Sequence, residues 1–468
     1  MLKNIKILHT NDIHSDYESM AQIASLIKYI KNDNTLIIDA GDNADFMRTE
    51  TEGTMGEISS QILNSIGYDA RILGNNEGFA GIDKIRHICE TSKVPVITSN
   101  LYDLKGNKFE WLEDFVIKKV NDKKVLILGV TAPYNVFYEL SGIHASNPLE
   151  EIEKVLKEKQ GEYNVCLLIS HLGFKRDKDI AEKLDSIDII VGGHSHTELD
   201  KPIMINNTII AQAGKYGDYI GEINLVIDDE NNVKSYEGRL ISTKAIKYDK
   251  KILDIIDEYR EKSEKHLGKT LYSIDSNLSH YIEKEDDITN LLADALWDYV
   301  PSDFGIINSG VLNKGIKKGK VSKKLLLEIC PSPLNPTYYE IKGKHIISAL
   351  EKSLLSEYNN KDGKGAGFRG QYLGNLQVSD NVKVTYDSNN SNMNKIKSIL
   401  IDDKEIDKEK IYKIATSDYI QRGTGYNDFK SGKNEKFYPE YLREILEKYL
   451  NRNEFIQKSK IKRFNKIR

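Results

Sequence analysis

The sequence predicts an α/β fold in two successive domains, and three observations carry that reading. Short apolar runs alternate with helix-period patterns over residues 1–245. Polar clusters rich in Asp, Asn and His follow those apolar runs. After a charged helical stretch, a second series of strand and helix patterns begins.

In order, strands are expected at 5–10, 36–40, 70–73, 125–130, 165–170 and 187–191, where apolar residues run nearly unbroken, as in buried strands. Between the first two, Met20, Ile23, Ala24 and Ile27 recur at i, i+3, i+4 and i+7, one face of a helix, and Ile58, Ile62 and Ile66 repeat the pattern. Residues 248–268 are charged and helix-prone with Gly268 placed as a C-cap, so a linker helix over 246–269 is expected to divide domains 1–245 and 270–468. The second domain is expected to hold helices near 285–299 and 345–355, a strand ending at Ile307, and a glycine-rich loop marked by Gly363, Gly365, Gly367, Gly370 and Gly374. The basic tail (Lys458, Lys460, Lys462, Arg463, Lys466, Arg468) reads as a solvated helix end.

Composition narrows the function. Across 468 residues, 67 Lys plus Arg oppose 71 Asp plus Glu for a net charge of -4, which excludes broad attraction to polymeric nucleic acid. No apolar stretch approaches the roughly 20 residues of a membrane span, so no membrane partner is expected. The opening Met1-Leu2-Lys3-Asn4 lacks the apolar core of a secretory signal, and the three cysteines, Cys89, Cys166 and Cys330, show no paired spacing. A cytoplasmic location is therefore expected.

The informative residues lie at strand ends. They are Asp12 and His14 after the first strand, Gly41-Asp42 after the second, Gly74-Asn75-Asn76-Glu77 after the third, His171 after the fifth and Gly193-His194-Ser195-His196 after the sixth. Asp12 and His14 stand at i and i+2, which in extended chain point the same way. Ligands of an open α/β sheet bind at the carboxyl ends of its strands. A mixed set of imidazoles, carboxylates and an amide suits Mn²⁺, Zn²⁺, Fe²⁺ or Co²⁺. The set is too large for one catalytic ion with an open position, and suits two ions about 3.5 to 4 Å apart that share a carboxylate.

These blocks resemble the calcineurin-like metallophosphoesterases, and among them the 5′-nucleotidase type, which includes UDP-sugar hydrolases and 2′,3′-cyclic-nucleotide phosphodiesterases. The family blocks Asp-x-His, Gly-Asp, Gly-Asn-His-Glu, a strand-end His and Gly-His-x-His are matched in order by Asp12-Ile13-His14, Gly41-Asp42, Gly74-Asn75-Asn76-Glu77, His171 and Gly193-His194-Ser195-His196. In the second half, Ile307-Asn308-Ser309-Gly310, Leu376-Gln377-Val378-Ser379 and the segment from Asp418 to Tyr426 resemble the family's C-terminal nucleotide-binding domain. The resemblance implies a four-layer metallophosphoesterase sandwich plus a separate α/β C-terminal substrate-binding domain that moves about the linker helix, with the substrate in the cleft. It implies two divalent cofactor ions (Mn, Zn, Fe, Co or Mg), one held by Asp12, His14, Asp42 and His196, the other by Asp42, Asn75, His171 and His194, with Asp42 as the bridge. The implied reaction is hydrolysis of a phosphate ester of a nucleotide or related small molecule.

Two departures stand out. The family's Gly-Asn-His-Glu histidine, which stabilises the transition state or protonates the leaving oxygen, is replaced by Asn76, and the Asp three residues on by Phe79. An amide donates a hydrogen bond but delivers no proton, and general acid help is typically worth about 10² to 10⁴ in rate. Asn76 thus marks one of three cases. It belongs to a working subgroup, similar to the Gly-Asn-Asn-Glu-Gly variant of Gram-positive bacteria; or the substrate has a good leaving group, as in a pyrophosphate or an aryl ester; or the protein is a metal-bound nucleotide sensor with weak catalysis. The alternative reaction is hydrolysis of a nucleoside diphosphate-sugar or a cyclic-nucleotide phosphodiester. In the second domain the Arg expected after the Asn-x-Gly block is Asn313, so Arg369 or Arg422 is expected to clamp substrate. Tyr419 matches one ring of the family's base sandwich, with Phe368 or Tyr372 as the other, and Asn308 joins the expected substrate residues.

Overall fold

The computed structural model of the protein describes residues 2–365 and 367–467 and divides into two compact units, residues 1–266 and 267–468. In the first unit the strands form two sheets, as the four-layer sandwich requires. The first has five strands, in the order Val233–Ser242, Tyr219–Ile227, Lys3–Thr10, Thr35–Asp39, Ala70–Arg71. The second has six, in the order Ile203–Ile205, Thr208–Ala211, Ile189–Gly192, Val165–His171, Lys123–Thr131, Phe115–Val120. All six expected strands are present. Parallel pairs run through each sheet, with Thr10 paired to Asp39 and Thr131 to His171; antiparallel strands close both edges of the second sheet and one edge of the first, whose other edge, Ala70–Arg71, is parallel.

Burial on both faces explains the nearly unbroken apolar runs. Ile5, Ile7, Leu36 and Ile38 of the first sheet meet Ile127, Leu167, Ile169 and Val191 of the second in the layer between the sheets. The first sheet's other face is covered by helices Tyr17–Ile30 and Glu57–Ile66, through Met20, Ile23, Ile27, Ile58 and Ile62. Helices Pro148–Glu158 and Phe174–Lys183 cover the second through Ile152, Val155 and Ile180. Helix, sheet, sheet, helix makes four layers, and parallel strand ends of both sheets emerge at one edge.

The helix expected as a linker is Lys250–Leu267, and it packs on the first unit. Ile252, Ile256 and Tyr259 enter the core beside Tyr17 and Ile62, and Tyr259 donates to Glu57 at 2.5 Å.

The second unit is built on a five-stranded sheet, ordered Leu376–Val378, Phe304–Asn308, Ile411–Ser417, Pro336–Lys342, Lys433–Phe437, with helix Asp287–Tyr299 packed on it. A four-stranded sheet includes Phe464–Lys466. The basic tail departs from the solvated reading at Arg463, which is 1% exposed and pairs with Asp294 at 2.6 Å. Asp294 and the backbone carbonyls of Asn290 and Val378 take up the two terminal nitrogens of a guanidinium that sequence composition alone marks as a surface charge. Arg468 lies outside the described residues.

Candidate metal centre and nucleotide-binding residues

The strand ends of both sheets bring all the expected metal ligands together. Asp12, His14 and His196 present ligand atoms within 4.8 Å of one another, and so do Asp12, Asp42 and His171. Asn75 completes the second group, its Oδ1 lying 3.3 Å from His171 Nε2 and 2.6 Å from His194 Nδ1. Asp12 belongs to both groups, whereas the resemblance assigns the shared carboxylate to Asp42.

Side-chain direction is set by turns, not by strand alternation. The strand ends at Thr10, and Asp12 and His14 have φ of 52° and 49°, as Asp42 (52°), His194 (73°), His196 (54°) and the neighbouring Tyr216 (56°) are also left-handed. Left-handed backbone is costly for residues with a side chain and gathers at functional sites. Two glycines make room. Gly41 itself has φ 87°, and a Cβ on Gly74 would stand 2.1 Å from Asp42 Oδ1.

One carboxylate ties these turns together. Glu77, fully buried, accepts the backbone N–H groups of Gly74 at 2.9 Å and Asp42 at 3.1 Å on one oxygen and of Ala44 at 2.8 Å on the other. Burial pushes its pKa up to about 7, with the Asp42 charge adding to the rise and Arg71 opposing it. Asp12 is aimed by Asn11, whose Nδ2 donates to it at 2.7 Å, and by the backbone N–H of His194 at 2.9 Å.

The donor set fits divalent ions. Nδ1 of His171 lies 2.7 Å from the carbonyl oxygen of Ala40, so it must carry the proton there. That leaves the Nε2 lone pair facing Asp42 Oδ1 at 3.3 Å and Asn75 Oδ1 at 3.3 Å, three acceptors turned toward one another. Such a convergence favours positive charge. Burial lowers the His171 pKa, yet the Asp42 and Asp12 carboxylates overcome it and raise it to about 10. Burial likewise raises Asp42, but His171, His14 and the Asn76 backbone N–H outweigh it and hold the carboxyl well below its usual range. The second cluster is similar in kind: His14 Nε2 and His196 Nε2 are 3.0 Å apart, with Asp12 Oδ1 at 3.8 and 3.4 Å.

Asn76 contributes twice. Its backbone N–H donates to Asp42 at 2.8 Å, and its side-chain amide lies 2.8 Å from His14 Nδ1. The Nδ2 of that amide is the atom facing His14, while its Oδ1 accepts from Asn75 Nδ2 at 3.3 Å, so the two neighbouring amides are linked to each other and to the His14 ring. Phe79, in the place of the family's Asp, packs among Tyr134, Phe137 and Tyr138.

In the second unit Phe368 and Tyr419 stack on each other, ring centres 4.3 Å apart and 24° from parallel. Arg369 donates its backbone N–H to Ser332 at 3.0 Å, and Arg422 pairs with Asp418 at 3.1 Å. Asn308 is fully buried, its amide donating to the Leu373 carbonyl at 2.6 Å. Tyr372 lies on the same glycine-rich loop, bridged to Asp362.

Sequence reading missed Glu77 as a brace, Asn11 as the aiming group for Asp12, and Tyr134, whose hydroxyl lies 3.0 Å from His194 Nε2. The fourth expected strand, 125–130, showed no ligand type at its end, and Tyr134 is what that end delivers.

Two sheets whose strand ends converge on carboxylate and imidazole clusters define a metal-dependent phosphoesterase. Residues 5–198 match the calcineurin-like phosphoesterase family and residues 268–431 the 5′-nucleotidase C-terminal domain family. The chain belongs to the calcineurin-like metallophosphoesterase and 5′-nucleotidase superfamily, as a metal-dependent hydrolase. It is 28% identical over 466 residues to the uncharacterized metallophosphoesterase YunD of Bacillus subtilis, covering 95% of this chain and 99% of that one. It is 25% identical to the trifunctional nucleotide phosphoesterase protein YfkN of the same organism, covering 92% of this chain and 32% of that longer protein. The fold is similar to that of Haemophilus influenzae NAD nucleotidase, with a TM-score of 0.68 at 16% identity over 100% of this chain and 98% of the other.

Proposed function

We propose that the protein hydrolyses phosphate esters of nucleotides or related small molecules, in the manner of a 5′-nucleotidase. The observation that carries the reading is the convergence of the His171 Nε2 lone pair, Asp42 Oδ1 and Asn75 Oδ1 beside the Asp12, His14 and His196 cluster. Asp12, His14, Asp42 and His196 would hold one ion and Asp42, Asn75, His171 and His194 the other, with Asp42 between them. Bound there, divalent ions lower the pKa of water and neutralise phosphoryl charge.

The chain's own residues do the rest. Ala40 holds the His171 ring in one orientation, Glu77 holds the turns that carry Asp42 and Asn75, and the Asn76 NH₂ donates to a phosphoryl oxygen. Catalysis of this kind is mainly positioning and electrostatics. Phe368 and Tyr419 supply aromatic faces for a base, and Arg369 or Arg422 a guanidinium. The nucleotide phosphoesterase named among the relatives supports a nucleotide substrate. Placement in the Gly-Asn-Asn-Glu-Gly subgroup and in a reducing cytoplasm is part of the same reading; the buried, unpaired Cys89, Cys166 and Cys330 support the latter.

Asn76 favours a second reading, in which the diphosphate bond of a nucleoside diphosphate-sugar is preferred because its phosphate leaving group needs less protonation than an alkoxide; a cyclic phosphodiester, which releases an alkoxide, is the other alternative substrate. The test is hydrolysis of nucleoside monophosphates, UDP-sugars, cyclic nucleotides and an aryl phosphate with Mn²⁺, Co²⁺, Zn²⁺ or Mg²⁺, by the native protein and by Asp42→Asn. Turnover that collapses in Asp42→Asn is expected. Unchanged hydrolysis in that variant sinks the bridging-carboxylate reading, and the ratio of monoester to diester rates decides between the two substrate classes.

A further inference from the structure

We propose that Tyr134 is a positioning residue for the metal centre, accepting the His194 Nε2–H on its phenolic oxygen and thereby committing Nδ1 of His194 to the ion. The proposal rests on the reading of Asp42, Asn75, His171 and His194 as one ion's ligands.

The geometry leads to it from both nitrogens. Nδ1 of His194 faces Asn75 Oδ1 at 2.6 Å, on the side where the His171 ring lies 5.2 Å away centre to centre. An imidazole that offers a lone pair from Nδ1 carries its proton on Nε2, and a ligating histidine donates that N–H to an outer partner that fixes tautomer and ring angle. For His171 that partner is the Ala40 carbonyl. For His194 the atom at Nε2 is the Tyr134 hydroxyl, 3.0 Å away.

The tyrosine is itself held in place. Its ring meets the edge of Phe79 at 5.5 Å and of Tyr138 at 6.3 Å, and Tyr138 is fully buried. A Cβ on Gly78 would stand 2.5 Å from the Tyr138 ring, so the turn carrying Asn75 and Asn76 closes directly on this aromatic group. Phe79, the second departure from the family's pattern, thus helps place the partner of a ligand. Tyr134 is 37% exposed, and once its oxygen has accepted from His194 its own O–H is left to donate outward.

The experiment is an equilibrium titration of the metal-free protein and of Tyr134→Phe with Co²⁺, followed by visible absorption and calorimetry. The phenylalanine keeps the ring and its packing and removes only the acceptor. Losing an outer partner typically weakens metal binding about 10-fold to 100-fold. Weakening of that order is expected for one of the two ions, with an altered Co²⁺ spectrum and with thermal stability of the metal-free protein within a few degrees of the parent. In Co²⁺-loaded parent protein an exchangeable, strongly shifted imidazole N–H signal from His194 is expected by NMR, and its loss in Tyr134→Phe. Two ions bound by Tyr134→Phe at parental affinity with an unchanged spectrum overturn the proposal. A parent that takes up fewer than two ions overturns instead the two-ion reading on which it rests.

Discussion

The Glu77 carboxylate, fully buried, accepts the backbone N–H of Asp42 at 3.1 Å on the oxygen that also takes the N–H of Gly74 at 2.9 Å. A single acid thus joins the turn after the second strand to the turn after the third, and Arg71 lies 3.6 Å from its other oxygen. Turning one of its oxygens into an NH₂ sets a donor against these backbone N–H groups and leaves at least one of them buried and unpaired, which costs about 1–3 kcal/mol. Glu77→Gln is expected to lower unfolding stability by about that amount in a urea titration, with metal affinity falling as well because both ligand turns loosen.

Asn76 has its amide against His14 Nδ1 and cannot supply a proton. Asn76→His is expected to raise the rate on alkyl monoesters at least tenfold relative to an aryl phosphate, at the low end of what a general acid contributes, since Phe79 offers no carboxylate to orient the new ring. The ratio of kcat/KM on the two substrates is the measurement. A ratio unmoved by the substitution separates Asn76 from leaving-group chemistry.

Asp177 is fully buried, takes hydrogen bonds from Ser170 at 2.6 Å and Gln212 at 2.7 Å, and is pushed by burial up to about 7. The usual value is near 3.9, so its pKa is raised on folding and the folded state holds the proton longer. Its contribution to stability is full below about pH 4 and is lost as pH rises through about 7, by up to about 4 kcal/mol. Asp177→Asn removes this group's titration. The stability of the parent relative to the variant should therefore fall between pH 4.5 and 7.5, measured by denaturant midpoints across that range.

Phe368 and Tyr419 occupy each other's faces at 4.3 Å, so a base inserted between them needs two stacking intervals where one stands now. Stacking on an aromatic side chain is worth about 1–3 kcal/mol per base by alanine substitution. Phe368→Ala is expected to raise KM for nucleotides about 5-fold to 100-fold and to leave an aryl phosphate unaffected. Both rings are buried in the core of the second unit, Phe368 at 5% and Tyr419 at 1% exposed, so equal effects on both substrates would mean that the pair only packs and does not open to a base.

Much of this was legible because it is local. The apolar runs at 36–40 and 165–170 mark strands whatever lies beside them, and glycines at 41, 74 and 193 mark the turns that follow. The ligand types at Asp12, Asp42, His171 and His194 could be read directly. The physical reason offered for Asp12 and His14 was nevertheless wrong: extended alternation does not aim them, since both are left-handed. The strands also belong to two sheets, a distinction that buried runs cannot make because both sheets are covered on both faces.

The sequence by itself determined which residues could bind metal and in what order the strands would present them, since ligand chemistry and strand periodicity are properties of short segments. Tertiary structure decided what each ligand's other side touches: Ala40 for His171, Asn76 for His14, Tyr134 for His194. Those partners lie 60 or more positions away along the chain, and contacts of that span are set by how layers pack. The same holds for Arg463, a tail cation by composition, which packing places beside Asp294 in the interior.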